Sequence, residues 1–524
     1  MKKYKFLIAA IALAGFAGLT ACSDDFLTAD SARKVPAGSP ATEEVVLANL
    51  ASAYQILLFD SYANFNYNSV LLMSDLRSDD NYKGGESAGD QQQLYNLATF
   101  NSTPASNIPG LWTIYFSGIA RANTAILSAG NVVEGSNPET VKRYKAEALF
   151  LRAYYTHLLW KFWGNIPFFT EPLVEPFLAP QYDAADIYTK IMEDIKAAED
   201  LNSLPMATRG SDLGHVNKAA LLMLKARVVL YQKDASKYAE VANDMASIIK
   251  SNEYELFGNF DAMWENENEF CSESIFEANH LPSGKGWGSA WQGYGTNYPA
   301  YVSPNDLKDP NGVFKTGWGF APLRPYLWTD LFEAGDTRRE GSINNWVGAD
   351  YKPRFQDTGY YNRKYAARVG YNDLPGDQDL NYCNNLRIFR YAETLLNYAE
   401  LVGTLNVPAQ QGVSAQDCFA QIRGRAFGGA NAPALSLNLE NIKVERHREF
   451  IGEGMRFWDL IRWGDAERVL TEDVTATTPG TDATPSVTWT WSRKFTNAKK
   501  YLPIPEEDIN ASKGTGFDLV QNQW

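Results

Sequence analysis

The chain has 524 residues, 45 % hydrophobic, 21 % charged and 13 % aromatic, which supplies a large core and excludes wholesale disorder. Its net charge of −14 argues against a nucleic-acid binder, which needs basic surface to displace counterions from phosphate. Only four cysteines (Cys22, Cys271, Cys383, Cys418) and four scattered histidines (His157, His215, His280, His447) occur, too few for a disulfide scaffold or a His-rich metal site.

The first segment reads as an address. Lys2, Lys3 and Lys5 precede an apolar run from Phe6 to Leu19. A bilayer span takes about 20 residues, so this run fits a signal-peptide core better than a membrane helix. Leu19-Thr20-Ala21-Cys22 resembles a bacterial lipobox, in which Cys22 is acylated and becomes the new N-terminus. Loss of residues 1–21 removes three lysines, leaving 45 basic against 62 acidic residues and a net −17. Two or more acyl chains give stable membrane attachment. Ser23-Asp24-Asp25-Phe26 resembles the surface-export signal of Bacteroidetes lipoproteins; a solvated linker is the plainer alternative. Residues 22–40 then serve as lipidated cysteine and tether, and 41–524 as a single domain.

The domain is expected to be mainly α. Helices are predicted over Thr42–Phe59, Ile108–Leu127 and Glu139–Trp163. Ala184–Leu201 sets Ile187, Ile191, Ile195 and Ala198 on one face, the 3.6-residue period of an amphipathic helix. Val216–Gln232 repeats the pattern, and Ser236–Ile249 is its expected partner across a short break. Leu386–Val402, Asp417–Phe427 and Asn441–Phe450 complete the set. Short helix pairs rich in Ala and Tyr suggest tetratricopeptide-like stacking, over about 41–251 and 382–470.

Between them, about 252–381, the helical period fails. Residues 284–328 hold eight of the 39 glycines and four of the 14 tryptophans. Glycine breaks regular elements, so a loop-rich folded insert is expected, with little β structure. The Thr- and Pro-rich stretch Thr471–Pro485 reads as irregular. Val487-Thr488-Trp489-Thr490-Trp491 alternates strictly and suggests a short strand.

Catalytic signatures are absent: no GxSxG, HExxH, P-loop or GxGxxG occurs. Asp377-Gln378-Asp379 could ligate calcium but lacks the alternation and glycine of an EF-hand loop, so no cofactor is expected. The candidate binding residues are aromatic. A pyranose ring has an apolar C–H face that stacks on a rigid aromatic plane at low entropy cost. Trp287, Trp291, Tyr294, Tyr298 and Tyr301 step along the insert at spacings of three and four, followed by Trp318, Phe320 and Trp328. The alternative is that they pack the insert's own core. A second candidate is the mixed polar loop Asp75–Gly85, with Asn81 and Tyr82 at its centre. Arg338, Arg339, Arg363, Lys364 and Arg368 are the residues from which a local basic patch could be built.

Five segments in order resemble the SusD/RagB family of outer-membrane nutrient-uptake lipoproteins. They are the lipobox with Ser23–Phe26; Tyr144–Tyr155 continuing through Phe162-Trp163-Gly164-Asn165-Ile166-Pro167; Arg390–Glu400; Glu445–Phe450 with Glu453–Gly464; and Tyr501–Asn510, ending near Gln521-Asn522. Read as residues, these motifs are structural. Glu445 and Glu449 lie one helical turn apart with Arg446, Arg448 and Arg456 nearby, an expected ion-pair network. Glu147 with Arg152 reads the same way, and Gly454 and Gly464 suit sharp turns.

The resemblance implies a helical fold with four tetratricopeptide-like units and an irregular ligand-binding part. It implies a lipid anchor at Cys22, exposure on the cell surface, and a SusC-like TonB-dependent transporter as partner. It further implies capture of glycans, or of peptides in some members, without bond cleavage. A surface glycosidase is the enzymatic rival and would need two carboxylates flanking the aromatic groove. The family carries no fixed ligand motif, so the Trp and Tyr set rests on composition alone.

Overall fold

The computed structural model describes residues 40–59, 69–429, 432–478 and 485–523. The leader, Cys22 and the tether to residue 39 lie outside them. The helices that build the fold are α1 Glu43–Tyr54, α2 Val70–Arg77, α3 Gly110–Gly130, α4 Pro138–Trp163, α5 Ala184–Leu201, α6 Lys218–Gln232 and α7 Tyr238–Ser251. After the insert follow α8 Tyr391–Thr404, α9 Ala415–Ala426, α10 Leu439–Phe450 and α11 Arg456–Trp463.

Local chemistry sets their starts. Thr42, Asn137, Asp183, Asn217, Ser414 and Asn438 cap α1, α4, α5, α6, α9 and α10, each side chain accepting backbone N–H groups of the first turn. Pro138 opens α4 where its missing N–H costs nothing. Gly464 ends α11 in the left-handed region at φ 80°.

The helices pack in sequence. α3 lies along α4, α4 along α5, and α1 crosses α3; α6 meets α7, α7 meets α8, and α8 packs on α9 and α10. Ile187, Ile191, Ile195 and Ala198 are all buried in α5, as their spacing requires. α4 is buried almost all round from Ala146 to Trp163, so it is the central rod rather than an amphipathic surface helix. The C-terminal motif closes its exit: Leu502 N–H donates to Phe162 O, and the Asn522 amide to Trp163 O and Leu502 O.

Strands are few and short. Besides the two-residue pair Ile166–Pro167 with Gln181–Tyr182, they are in chain order β1 Ser274–Ala278, β2 Ile343–Asn345, β3 Tyr360–Asn362, β4 Leu386–Arg390, β5 Glu472–Thr478 and β6 Val487–Arg493. All pair antiparallel, β1 with β4, β2 with β3 and β5 with β6. Two segments correct the sequence reading. The helix predicted from Leu386 starts only at Tyr391, because Leu386–Arg390 pairs with β1. The stretch from Thr471 was expected to be irregular, yet Glu472–Thr478 forms a seven-residue strand against Val487–Arg493. There Val474 sits opposite Trp491 and Ala476 opposite Trp489.

Buried ion pairs tie the insert to the C-terminal helices. Glu445 and Glu449 do form a network, but their partners come from afar. Arg338 meets Glu445 and Glu449, Arg423 meets Glu445, and Arg390 and Arg425 meet Glu449. Of the expected neighbours, Arg448 comes only within 3.7 Å of Glu445 and binds Glu333 instead. Arg446 goes to Asp459 and Arg456 to Asp79. Glu147 and Arg152 do not pair with each other either: Glu147 takes Arg143, His215 and Tyr54, while Arg152 forks onto Asp194. Among the described residues no helix is long and apolar enough to cross a membrane.

Candidate functional site

The insert presents one clamped loop, 281–294. Its ends meet across a backbone ladder: Leu281 N–H donates to Tyr294 O and Tyr294 N–H to Ser283 O, both at 3.0 Å. Gly284 and Gly293 let the two arms touch, since a Cβ on Gly293 would stand 2.3 Å from the Gly284 carbonyl carbon. The arm leaving the loop pairs with a segment 86 residues further along the chain, Thr296 and Tyr382 exchanging both backbone bonds. That pairing lays the turn 377–381 beside the loop.

The turn then grips the loop. The Asn381 amide accepts from Lys285 N–H at 3.0 Å and donates to Lys285 O and Asp377 O at 2.8 Å. The Asp377 carboxylate accepts Trp287 N–H at 2.8 Å. Lys285 reaches under the loop to Leu58 O at 2.7 Å. Trp287 is therefore held by its backbone while the residue stays 39 % exposed.

Trp318 stands beside it. The two ring centroids are 5.9 Å apart with planes inclined at 35°. Trp318 is half-buried, rests edge-on upon Tyr301 at 4.8 Å, and donates its indole N–H to Asp379 at 3.1 Å. Two indoles, one exposed and one partly so, thus form a shallow aromatic face rimmed by the carboxylates of Asp377 and Asp379.

The other aromatic candidates go elsewhere. Trp291, in the left-handed region at φ 57°, turns inward onto Phe59 and Arg121. Tyr294, 45 % exposed, faces a cavity of about 590 Å³ walled by α1 and by Leu213–His215. Tyr298 and Tyr301 are core residues, 1 % and 2 % exposed; their spacing of three is the spacing of a packed helical turn. Trp328 stacks on Tyr360 at 5.7 Å and 25° in a different cleft.

The Asp75–Gly85 loop is corrected from rim to strut. Arg77 is fully buried and donates to the Lys499 and Lys500 carbonyls. The Asn81 amide donates to Ala321 O, and Tyr82 packs edge-on against Trp489 and Trp491. Neither side chain offers a face to a ligand. The basic patch also dissolves: Arg338 and Lys364 are fully buried in ion pairs, Arg363 forks onto Asp261, Arg339 pairs with Glu340, and Arg368 is buried.

For a metal, the described residues offer one trio, Asp79, Asp80 and His447, with ligand atoms within 4.8 Å of one another. Arg456 already spans both oxygens of Asp79, and His447 Nε2 lies 2.6 Å from Asp80 Oδ1. The trio is a neutralised knot between α2, α10 and α11.

One histidine sits under the loop. His280 is buried and its Nδ1 bonds Tyr294 O at 3.0 Å. Burial, with Lys285 nearby, pushes it down to about 3. The folded state therefore holds it neutral, while the unfolded chain binds its proton near 6.5. Stability from this group is complete above about 6.5 and is lost as the pH falls towards 3. Wild-type protein should lose more melting temperature between pH 7 and pH 4 than His280→Gln. Parallel pH profiles in the two proteins would refute this.

The comparisons now bear on this geometry. The SusD family profile matches residues 272–523, and a profile described as starch-binding, associating with the outer membrane, matches residues 39–230. Surface glycan-binding protein A from Bacteroides fluxus is 59 % identical, with a TM-score of 0.85 over 92 % of this chain and 99 % of its own. The chain belongs to the SusD/RagB family. Surface glycan-binding protein A from Bacteroides thetaiotaomicron, solved in complex with laminarihexaose, is 34 % identical with a TM-score of 0.82, over 92 % of this chain and all of its own. SusD-like protein P38 from Formosa agariphila is 26 % identical over 423 residues, 75 % of this chain and 79 % of the relative. The mainly helical fold expected of a SusD-family chain is the fold observed. The grip of Asn381 on Lys285 had no signal in the sequence: a lone Asn carries no trace of a partner 96 residues away.

Proposed function

We propose that the protein captures neutral glycans on the Trp287–Trp318 face and does not cleave them. The observation that carries this is Trp287, exposed although Asp377 holds its backbone N–H and Asn381 grips Lys285 two residues before it. A ring already in place costs little further entropy when a sugar stacks on it. Support for a β-glucan comes from the Bacteroides thetaiotaomicron relative with laminarihexaose bound. Support for capture over hydrolysis comes from the acids beside the rings. Asp377 and Asp379 already serve as acceptors for Trp287 and Trp318, whereas glycosidases need one carboxyl to protonate and another to attack or to activate water. The Leu19–Cys22 motif and the family support a lipid anchor on the outer membrane, an outward-facing domain, and delivery to a SusC-like TonB-dependent transporter.

The test is calorimetric titration of the mature chain with laminarihexaose, laminarin, other neutral glucans and a peptide panel. We expect glucan binding in the micromolar to millimolar range, about 4–8 kcal/mol, with no new reducing ends after prolonged incubation. Binding of peptides but of no glucan would overturn the reading, and release of reducing sugar would overturn its non-catalytic part.

A further inference from the structure

A second cleft, of about 470 Å³, opens beside Phe314, on the segment that carries Trp318. That volume is within the range of small-ligand sites. Its floor is strand β2 with Trp346 and Arg363, which flank the β2–β3 pair. Three aromatic rings wall it: Phe314, Trp328 and Trp346. Phe314 meets Trp346 edge-on at 5.7 Å and 80° and has Arg363 over its ring, while Trp328 stacks on Tyr360 and has Arg339 over its ring. Three amides, Asn311, Asn344 and Asn345, line the rest of its polar edge.

The charges around the cleft are already engaged. Asp261 takes Arg363 in a two-point fork at 2.6 and 2.7 Å, and Arg363 also donates to the Asn344 amide oxygen. The Asp309 carboxylate accepts backbone N–H groups of Asn311, Val313 and Phe314, and Glu340 pairs with Arg339. Each carboxylate at the cleft is thus tied to donors of the protein itself, so none is left to bind a cation. Aromatic walls with amide edges suit a neutral polyhydroxylated ring. The indole N–H of Trp346 is buried and has no acceptor among the described residues.

We propose that this cleft is a second saccharide site, engaging a distant unit of the same neutral glycan chain held at Trp287. The proposal rests on the glycan-binding reading above. Phe314, on the wall of this cleft, stands four residues before Trp318, so one segment carries a residue of each site. One long polysaccharide can then hold both sites, and the second contact becomes intramolecular.

Two ligands separate the possibilities: laminarihexaose and long-chain laminarin, titrated into the mature wild-type chain, Trp346→Ala and Asn311→Ala. Asn311 is exposed, so its variant keeps the fold if Trp346→Ala does not. We expect both variants to bind the hexasaccharide as wild type does and to lose roughly ten-fold in affinity for laminarin. Wild-type laminarin affinity in both variants overturns this proposal and leaves the Trp287 site standing. Absence of binding of either sugar by the wild type overturns both.

Discussion

Glu449→Ala will destabilise the protein by about 3–5 kcal/mol, the cost of breaking a buried ion pair from one side. Glu449 has no exposed side-chain surface. Oε1 accepts from Arg390 at 2.7 Å and from Arg425 at 2.5 Å, and Oε2 accepts from Arg338 at 3.1 Å. Burial alone would raise this carboxyl, but Arg425, Arg390 and Arg338 hold it well below the usual carboxylate range. Its contribution is present above about pH 4.5 and is lost as the pH falls through its lowered value. Alanine takes one carboxylate from each of three buried guanidinium groups, of which Arg425 keeps Glu273. Arg338 keeps Asp336 and Glu445, and Arg390 keeps Glu273 and Glu453, so the knot loosens before it opens. The exposed pair Lys196–Asp200 is the control: water already screens it, and its loss should go almost unnoticed. Urea unfolding of Glu449→Ala, Glu449→Gln and Asp200→Ala measures the three. A loss below about 1 kcal/mol for Glu449→Ala would mean that water reaches the knot.

The same network shows what the sequence could disclose. Glu445 and Glu449 are visibly one turn apart, and a network there is a sound inference from spacing. Its arginines are not visible, because Arg338 and Arg390 arrive through tertiary packing from 59 to 111 residues away. The long helices were legible because each needs only its own period and its own cap. Strand β4 was not: Leu386–Arg390 runs straight into a helix, and five apolar-biased residues fit either period. Only the pairing with β1 decides it. The aromatic insert behaved alike. Its composition marked a loop-rich aromatic region, but spacing could not tell Trp287, at a loop tip, from Tyr298 and Tyr301, on a buried turn. Trp346 lies outside the glycine-rich window and carried no signal at all.

Trp287→Ala will weaken laminarihexaose binding ten- to a hundred-fold, about 1–3 kcal/mol, the range seen when other flat ligands lose an aromatic platform. The residue is 39 % exposed, so the melting temperature should barely move. Asn381→Ala distinguishes the ring from its placement. That variant keeps Trp287 but removes both clasps on Lys285 and the bond to Asp377 O. Lys285 is 4 % exposed, and its stranded backbone groups should cost about 1–3 kcal/mol of stability. If pre-organisation is what makes the face bind, Asn381→Ala loses affinity nearly as far as Trp287→Ala, with the indole intact. If the ring alone matters, Asn381→Ala melts earlier and binds almost normally. Wild-type affinity in Trp287→Ala would move the sugar off this face, to the cavity of about 590 Å³ beside Tyr294, where α1 rather than the loop would hold it.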